Sequence, residues 1–199
     1  MAGRSDRALM ASLTNGDREA LAELFERHYD HLLHYGIRIN AHQSHAEECV
    51  QELFIYLFES AHRIGDVKQV RAYLFKSLRR RVLQKIYAEG KHEERRRHLL
   101  DRVDMTFDLQ DIAAIPDSGE RMRSILLKEL NKLPWRQREA VYLRYYNRLS
   151  TKEIAEIMGV ANQTVLNTLY QALKNLRKRD AIKQLAANAW PLLLFALIG

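Results

Sequence analysis

The sequence predicts an all-α protein made of two small helical domains joined by an acidic linker. Glycine and proline are scarce, at 8 and 3 of 199 residues, so few positions interrupt a helix. Apolar residues recur at spacings of three and four, and no stretch shows the alternation of a strand. Acidic residues concentrate near the middle of the chain and separate two helical blocks. With a net charge of +7, the chain as a whole favours polyanionic partners.

The first block, residues 6–97, begins with two helices separated by a stop signal. Asn15 and Gly16 end the first helix, and Asp17 caps the second. The second helix is predicted to turn these apolar residues inward: Leu21, Leu24, Phe25, Leu32 and Leu33.

The next helix, "HAEECVQELFIYLFES", combines a buried stripe with an acidic surface. The predicted stripe consists of Val50, Leu53, Phe54, Leu57 and Phe58. Glu47, Glu48, Gln51, Glu52 and Tyr56 are left on the other faces. Such an acidic surface is unusual in a basic chain.

The segment "VKQVRAYLFKSLRRRVLQKIY" interleaves cations with aromatic residues. The cations are Lys68, Arg71, Lys76, Arg79, Arg80, Arg81 and Lys85, and the aromatics are Tyr73, Phe75 and Tyr87. Cations can follow a nucleic-acid backbone while aromatics stack on exposed bases, which suits a single strand. From the pattern alone, a solvated basic helix with core aromatics is an equal alternative.

Residues 98–121 are predicted to form the acidic linker. The helical pattern weakens there, and the acidic residues outnumber Arg102: Asp101, Asp104, Asp108, Asp111, Asp117 and Glu120.

The second block, residues 122–185, contains a predicted helix-turn-helix. Ser150 and Glu153 form a capping box that begins a short helix, and Gly159 ends it. A longer helix follows from about Asn162, with Val165, Leu169, Ala172, Leu173 and Leu176 on its buried face. Ala155 permits close approach of the two helices. A plain helical hairpin is the alternative.

The second helix of this motif has side chains suited to reading DNA. Its early residues include Asn162, Gln163, Thr164, Asn167 and Tyr170, and Asn and Gln can make paired hydrogen bonds to adenine. Basic residues flank the motif: Arg136, Arg138, Arg144, Arg148, Lys174, Arg177, Lys178 and Arg179. Because Ala161 is a weak cap, Asn162 is expected to cap this helix.

Several other functions are not expected. Cys49 cannot form an internal disulfide and is expected to pack, and without a signal peptide the chain is expected in the cytoplasm. The histidines 28, 31 and 34, and the set 42, 45 and 49, lack the dense spacing of metal sites, so no metal or cofactor is predicted. No catalytic motif indicates an enzyme. The tail, 186–199, contains an apolar run from Ala189 to Ile198 that is shorter than the roughly 20 residues that span a bilayer. Packing on the second block, binding of a partner protein and contact with a membrane surface are the alternatives, and a protein contact is favoured.

These motifs resemble, in the same order, the characteristic stretches of extracytoplasmic-function (ECF) sigma factors of bacterial RNA polymerase. The matching stretches are "AEECVQELF", "RAYLFKSLRR", "LNKLPWRQREAVYLRYYNRLSTKEIAEIMGVANQTV" and "ALKNLRK". "QTVLNTLYQALKNLR" is similar to Bacteroidetes members. Arg80 and Gln84 depart from the Asn and Asp usual in the family, and Leu166 stands where a basic residue is frequent, so no promoter sequence is predicted.

The resemblance implies a sigma factor that binds the polymerase core, directs it to promoters and melts DNA. The resemblance assigns residues 6–97 to region 2 and residues 122–185 to region 4, and it leaves residues 186–199 as an additional tail. Core binding, on β′, is implied for Glu47, Glu48, Gln51, Glu52 and Phe54. Binding of the −10 element is implied for Lys68, Arg71, Tyr73, Lys76, Arg79 and Arg80. Binding of the −35 element is implied for Arg144, Asn162, Gln163, Thr164, Asn167, Tyr170 and Lys174.

The implied partners are the polymerase core, through its β′ and β subunits, promoter DNA, and an anti-sigma factor or another recruiting protein. One alternative is a dimeric helix-turn-helix regulator that acts without polymerase. The lack of a sensor domain and the acidic helix disfavour it. A protein-interaction adaptor that uses the tail and linker is a further alternative.

Overall fold

The computed structural model describes residues 4–40, 42–89, 105–112 and 120–182, and regular structure within these ranges is entirely helical. The chain divides into two compact units, whose main boundary lies between residues 104 and 105. The predicted all-α class with two helical domains is therefore confirmed. The predicted tail, 186–199, and most of the predicted linker lie outside the described residues.

Within the described residues, the first unit contains four α-helices. They are α1 (Asp6–Thr14), α2 (Arg18–Asn40), α3 (Gln43–Ser60) and α4 (Val70–Glu89), with a 3₁₀ turn at Ala61–Arg63. The predicted stop between α1 and α2 is confirmed, because Gly16 has a φ of +88°. Asp17 Oδ1 accepts hydrogen bonds from the backbone N–H groups of Glu19 and Ala20 at 3.0 and 3.2 Å, so it caps α2 as predicted.

The core of the first unit is formed where α2, α3 and α4 pack on one another. Leu32, Leu53 and Leu78 are fully buried there. At Gly36 the helices α2 and α3 approach so closely that an added Cβ would lie 3.0 Å from the Cβ of Ala46. The glycine, which is unfavourable inside a helix, therefore permits this contact.

Most of the predicted apolar stripe of α3 is in the core, with one exception. Val50, Leu53 and Leu57 are fully buried, whereas Phe58 is 44% exposed, so its placement in the core was wrong. Phe58 lies at the edge of the stripe, where one residue of helical rotation decides between core and surface. Cys49 is buried and forms no disulfide, as expected.

The second unit contains five α-helices within the described residues. They are α5 (Leu109–Ile112), α6 (Glu120–Asn131), α7 (Trp135–Val141), α8 (Thr151–Met158) and α9 (Asn162–Arg177), and a π-helical segment at Tyr142–Tyr146 continues α7.

Part of the predicted linker is folded onto the second unit. Met105 and Phe107 are buried, and the Phe107 ring lies 6.0 Å from that of Tyr142. The Asn131 side chain joins this segment to α6, because it accepts a hydrogen bond from Phe107 N at 2.8 Å and donates one to Phe107 O at 3.0 Å. Ile112 is also buried. The segment therefore has three apolar anchors among its aspartates.

A buried carboxylate ties the chain after α9 to α6. Glu129 is only 4% exposed and pairs with Lys132 at 2.6 Å and Arg179 at 3.0 Å. The hydrogen bond from Lys132, helped by the Arg179 charge, lowers the pKa of Glu129 despite its burial. These contacts position the carboxyl end of α9 against the rest of the unit.

Candidate functional site

The helix-turn-helix is formed by α8 and α9. Ser150 and Glu153 make the predicted capping box: Ser150 N donates to Glu153 Oε2 at 2.8 Å, and Glu153 N donates to Ser150 Oγ at 3.3 Å. Gly159 has a φ of +67° and ends α8, as predicted. Ala155 and Val165, predicted to lie between the helices, are both buried.

The outer side of α9 carries a polar surface, hereafter the reading face. It consists of Gln163, Leu166, Asn167, Tyr170 and Lys174, all exposed. Gln163 Nε2 donates a hydrogen bond to Asn167 Oδ1 at 3.1 Å, which links two of the amides predicted to read adenine. The Lys174 ammonium lies 5.8 Å from the centre of the Tyr170 ring.

The start of α9 differs from the prediction. Asn162 is the first residue of the helix, and its Oδ1 is buried without a hydrogen-bond partner among the described residues, so it does not cap the helix. Ala161 occupies the cap position, and only its backbone carbonyl serves there, accepting from Thr164 N at 2.9 Å. Thr164 is exposed beside the reading face.

Two of the predicted basic flank residues point inward. Arg144 is half-buried, and its Nη1 donates to the carbonyl of Leu149 at 3.1 Å. Arg138 is 8% exposed, and its Nη1 donates to the carbonyl of Asn131 at 2.5 Å. These arginines hold the turns before α8. Sequence spacing alone cannot distinguish such a role from phosphate binding.

A shallow groove of about 330 Å³ lies along the second half of α9. It is lined by Tyr170, Leu173, Lys174, Arg177 and Lys178. Leu173 was predicted on the buried face but is only half-buried, and it lines this groove. The lining therefore combines apolar and cationic side chains.

In the first unit, α3 presents an acidic surface, hereafter the docking face. It consists of Glu48, Gln51, Glu52, Ile55 and Glu59, all exposed. Glu47 is half-buried beside it and accepts a hydrogen bond from Gln43 Nε2 at 2.8 Å. Lys85 of α4 pairs with Glu48, and that hydrogen bond lowers the pKa of the Glu48 carboxyl.

Phe54 does not belong to the docking face. It is 5% exposed, and its ring centre lies 4.9 Å from that of Phe25 in an edge-on contact. It therefore supports α3 from the core side, while the four polar residues predicted with it lie on or beside the surface.

Three large apolar side chains lie on the surface of α3; sequence reasoning expected Tyr56 there and missed Ile55 and Phe58. Ile55, Tyr56 and Phe58 are 56%, 43% and 44% exposed. A guanidinium group lies over each of the two aromatic rings. That of Arg81 is 5.0 Å from the centre of the Tyr56 ring, and that of Arg18 is 5.4 Å from the centre of the Phe58 ring. Ile55 could have been found from the sequence, since it follows Glu48 by seven residues and Glu52 by three, which places it on the same side of a helix.

The basic segment lies before and along α4, and its residues divide between surface and interior. Lys68, Lys76 and Arg80 are exposed, whereas Arg71 and Arg79 are half-buried. Tyr73 is also half-buried, and burial raises its pKa. Phe75 is fully buried against Tyr35, so for this residue the core alternative was right.

Family models match both units in the order that these surfaces suggest. A model of sigma-70 region 2 matches residues 24–91, which include the docking face and α4. A model of sigma-70 region 4 matches residues 123–176, which include the helix-turn-helix. The chain belongs to the ECF sigma factors of the sigma-70 family. This sigma factor binds RNA polymerase and directs it to promoters, so both RNA polymerase and promoter DNA are its partners.

Relatives of this sigma factor match along most of its length. It is 26% identical over 179 residues to the ECF RNA polymerase sigma factor SigK of Mycobacterium ulcerans, covering 88% of this chain and 94% of that protein. It is 29% identical over 179 residues to the RNA polymerase sigma-E factor of Streptomyces avermitilis, covering 89% and 94%. Neither relative establishes the similarity to Bacteroidetes members.

The fold is shared with solved structures. Among them is the structure of CnrH in complex with the cytosolic domain of CnrY, which matches with a TM-score of 0.59 at 20% identity, covering 92% of this chain and 98% of that chain.

Two features are absent from the part of the sigma factor that the structure describes. None of its described helices is both long enough and apolar enough to cross a membrane. No group of three His, Cys, Asp or Glu side chains in the same residues could hold a metal ion. His28 instead bonds to Asp6, with 2.8 Å between Nε2 and Oδ2.

Proposed function

We propose that this sigma factor divides initiation between three surfaces: the docking face binds the β′ subunit, α4 and the residues before it melt the −10 element, and the reading face binds the −35 element as duplex. We propose region 2 at 6–97, the linker at 98–121, region 4 at 122–185 and the tail at 186–199. The role is binding, without catalysis and without a cofactor.

The observation that carries this proposal is the acidic docking face in a chain of net charge +7. α3 contains four glutamates and neither lysine nor arginine, so its surface suits a basic protein and not DNA. The exposed Ile55 among those carboxylates supplies an apolar contact, and buried apolar anchors dominate the energetics of protein interfaces. Phe54 supports this face from within.

Melting is assigned to the basic segment by charge and by aromatic content. Lys68, Lys76 and Arg80 are exposed and can contact phosphates, as Arg71 and Arg79 can in part. Tyr73 is half-exposed beside them and offers a ring on which an unpaired base can stack. Cations and a stacking ring on one helix favour a single strand over a duplex.

The −35 element is assigned to α9, whose exposed amides can pair with adenine in the major groove. Asn167, linked to Gln163, supplies the central contact, while Lys174 and Tyr170 lie further along the helix, toward the backbone. Asn162 and Thr164 contribute at its amino end, and Arg144 contributes by holding the preceding turn.

A regulatory protein partner is also proposed. The similar fold of CnrH was solved with the cytosolic domain of a second protein, CnrY, which supports an anti-sigma factor or another recruiting protein for this chain and a cytoplasmic location. The β subunit is proposed as a second contact within the polymerase.

Charge reversal on the docking face tests the proposal. Glu52→Lys should weaken binding of the full chain to core polymerase by at least tenfold and abolish run-off transcription, because a like charge set against a complementary surface can cost several kcal/mol. Binding is measured by titration of labelled protein with core polymerase. Thermal unfolding should be unchanged, since Glu52 is exposed.

Glu26→Lys is the matched control. Glu26 is an exposed glutamate of the same unit on α2, so its reversal changes the net charge equally. Wild-type binding for Glu26→Lys together with lost binding for Glu52→Lys supports the docking face. Equal binding for both variants and the wild type would show that α3 is only a solvated surface.

A further inference from the structure

The reading face contains a side chain that the assignment of amides to adenine leaves unexplained. Leu166 is 42% exposed, whereas Val165, Leu169 and Ala172 form the buried side of α9. Leu166 therefore contributes little to the core of this unit.

The position of Leu166 is central to the reading face. It follows Gln163 by three residues and precedes Tyr170 by four, so the three side chains are neighbours along one side of the helix. Asn167 is adjacent, and its Oδ1 is held by Gln163 at 3.1 Å. An aliphatic surface thus lies between two amides and an aromatic ring.

The chemistry of the major groove gives this aliphatic surface one specific counterpart. Leucine neither donates nor accepts hydrogen bonds, so it cannot read the polar edge of any base. The C5-methyl group of thymine is the apolar feature of the groove, and contact with it distinguishes thymine from cytosine and from the purines.

Resting on the proposed function of α9, we propose that Leu166 reads a thymine methyl group next to an adenine read by Asn167. The target of the reading face is therefore a duplex with adjacent A·T pairs, and Leu166 is a specificity-determining residue. Tyr170, 60% exposed and held by Lys174, closes the far side of the methyl contact.

Removing the methyl group without changing base pairing tests this inference. The full chain on core polymerase first selects its −35 duplex from a randomised library. Each selected thymine is then replaced in turn by deoxyuridine, which lacks only the methyl group. The affinity of the wild-type protein for the duplex should fall about fourfold when the methyl group is removed at one position, which is the effect expected from burying one methyl group. For Leu166→Ala, replacement at that position should change nothing further.

Gln171→Ala is the matched control, since Gln171 is exposed on α9 but lies about 140° from Leu166 around the helix. The Gln171→Ala variant should retain the fourfold loss of affinity when the thymine methyl group is removed. A sensitivity that is equal in wild type and Leu166→Ala, or absent at every thymine, would overturn the inference.

Asn167→Ala separates this failure from failure of the proposed function. If Asn167→Ala relaxes base preference while Leu166→Ala has no effect on methyl sensitivity, α9 reads DNA and the Leu166 inference alone fails. If both variants select the same sequences as wild type, α9 is not the reading helix.

Discussion

The helices α3 and α9 are built alike and differ in the charge they expose. Each buries one apolar side in its own unit and leaves a large aliphatic residue on the other, Ile55 at 56% and Leu166 at 42% exposure. The charged residues of α3 are four glutamates, three of them exposed, whereas the charged residues of α9 are Lys174 and Arg177. Under the proposed division of roles, the same helical scaffold serves two partners, and the exposed side chains decide which partner each helix binds.

Pairing within the protein sharpens this contrast. On the docking face, Lys85 neutralises part of the charge of Glu48, so Glu52 and Glu59 supply most of what a basic partner would meet. On the reading face, the cation nearest the amides lies over the Tyr170 ring. Charge is thus spread along the docking face, whereas on the reading face it lies at one end.

The largest effect is expected from removing the shared scaffold beneath a face. Leu53 is fully buried on the inner side of α3, and Leu53→Ala should lower the free energy of unfolding of the first unit by about 2 to 5 kcal/mol. Ile55→Ala, two residues away on the outer side, should change it by less than about 0.5 kcal/mol. Chemical denaturation of the full chain measures both, and equal losses would contradict the assignment of inner and outer sides.

A smaller effect is expected on the reading face. Asn167→Ala should relax base preference at one or two positions of the −35 duplex, at a cost of about 1 to 3 kcal/mol per position. Selection from a randomised library by the variant on core polymerase measures it. An unchanged selected sequence would remove Asn167 from the reading face and leave α9 without its central contact.

The capping box supplies a third test. Ser150→Ala removes the hydroxyl that accepts a hydrogen bond from Glu153 N. The free energy of unfolding of the second unit should therefore fall by about 1 kcal/mol, within the range for such caps. Ser150→Thr keeps the oxygen and should recover most of this loss. The denaturation midpoint of the second unit measures both variants, and a drop of similar size for Ser150→Thr would show that the box does not stabilise α8.

Local signals in the sequence predicted the parts of the fold that depend on neighbouring residues. The stop at Gly16, the cap at Asp17, the box at Ser150 and the turn at Gly159 each follow from interactions within four residues. The all-α class and the helix-turn-helix follow from the same short-range spacing. This is the range over which sequence pattern and backbone conformation correspond most directly.

Features set by tertiary packing could not be predicted. Whether Arg144 binds phosphate or the Leu149 carbonyl depends on how the chain turns before α8, and the exposure of Phe58 depends on the rotation of α3 against α2. The docking of Met105 and Phe107 on the second unit likewise requires partners about 25 residues or more away. For the candidate site, the sequence predicted which types of side chain are present, and the structure showed which of them lie on the surface.

The smallest effect is expected from the histidines of the first unit as the pH changes. His28 is buried against Asp6, and burial lowers its pKa below the unfolded value of 6.5, with Arg71 and Arg27 acting in the same direction and Asp6 opposing. Burial also lowers the pKa of His31. Because the unfolded chain binds more protons, this stability is present above pH 6.5 and is lost as pH falls through the folded pKa.

A His28→Gln variant should show a flatter dependence of unfolding free energy on pH between 7 and 5 than the wild type. Denaturation at a series of pH values measures the slope. A slope equal to that of the wild type would show that His28 has the same pKa in the folded and unfolded chains.

The most direct test of the division between α3 and α9 measures two activities on two variants. Glu52→Lys and Asn167→Ala are each assayed, as full chains, for affinity to core polymerase and, at polymerase concentrations that saturate each variant, for −35 base preference. The division of roles predicts that Glu52→Lys loses polymerase affinity and keeps base preference, while Asn167→Ala keeps polymerase affinity and loses base preference. If either variant lowers both activities while remaining folded, the two faces do not serve separate partners and the division is contradicted.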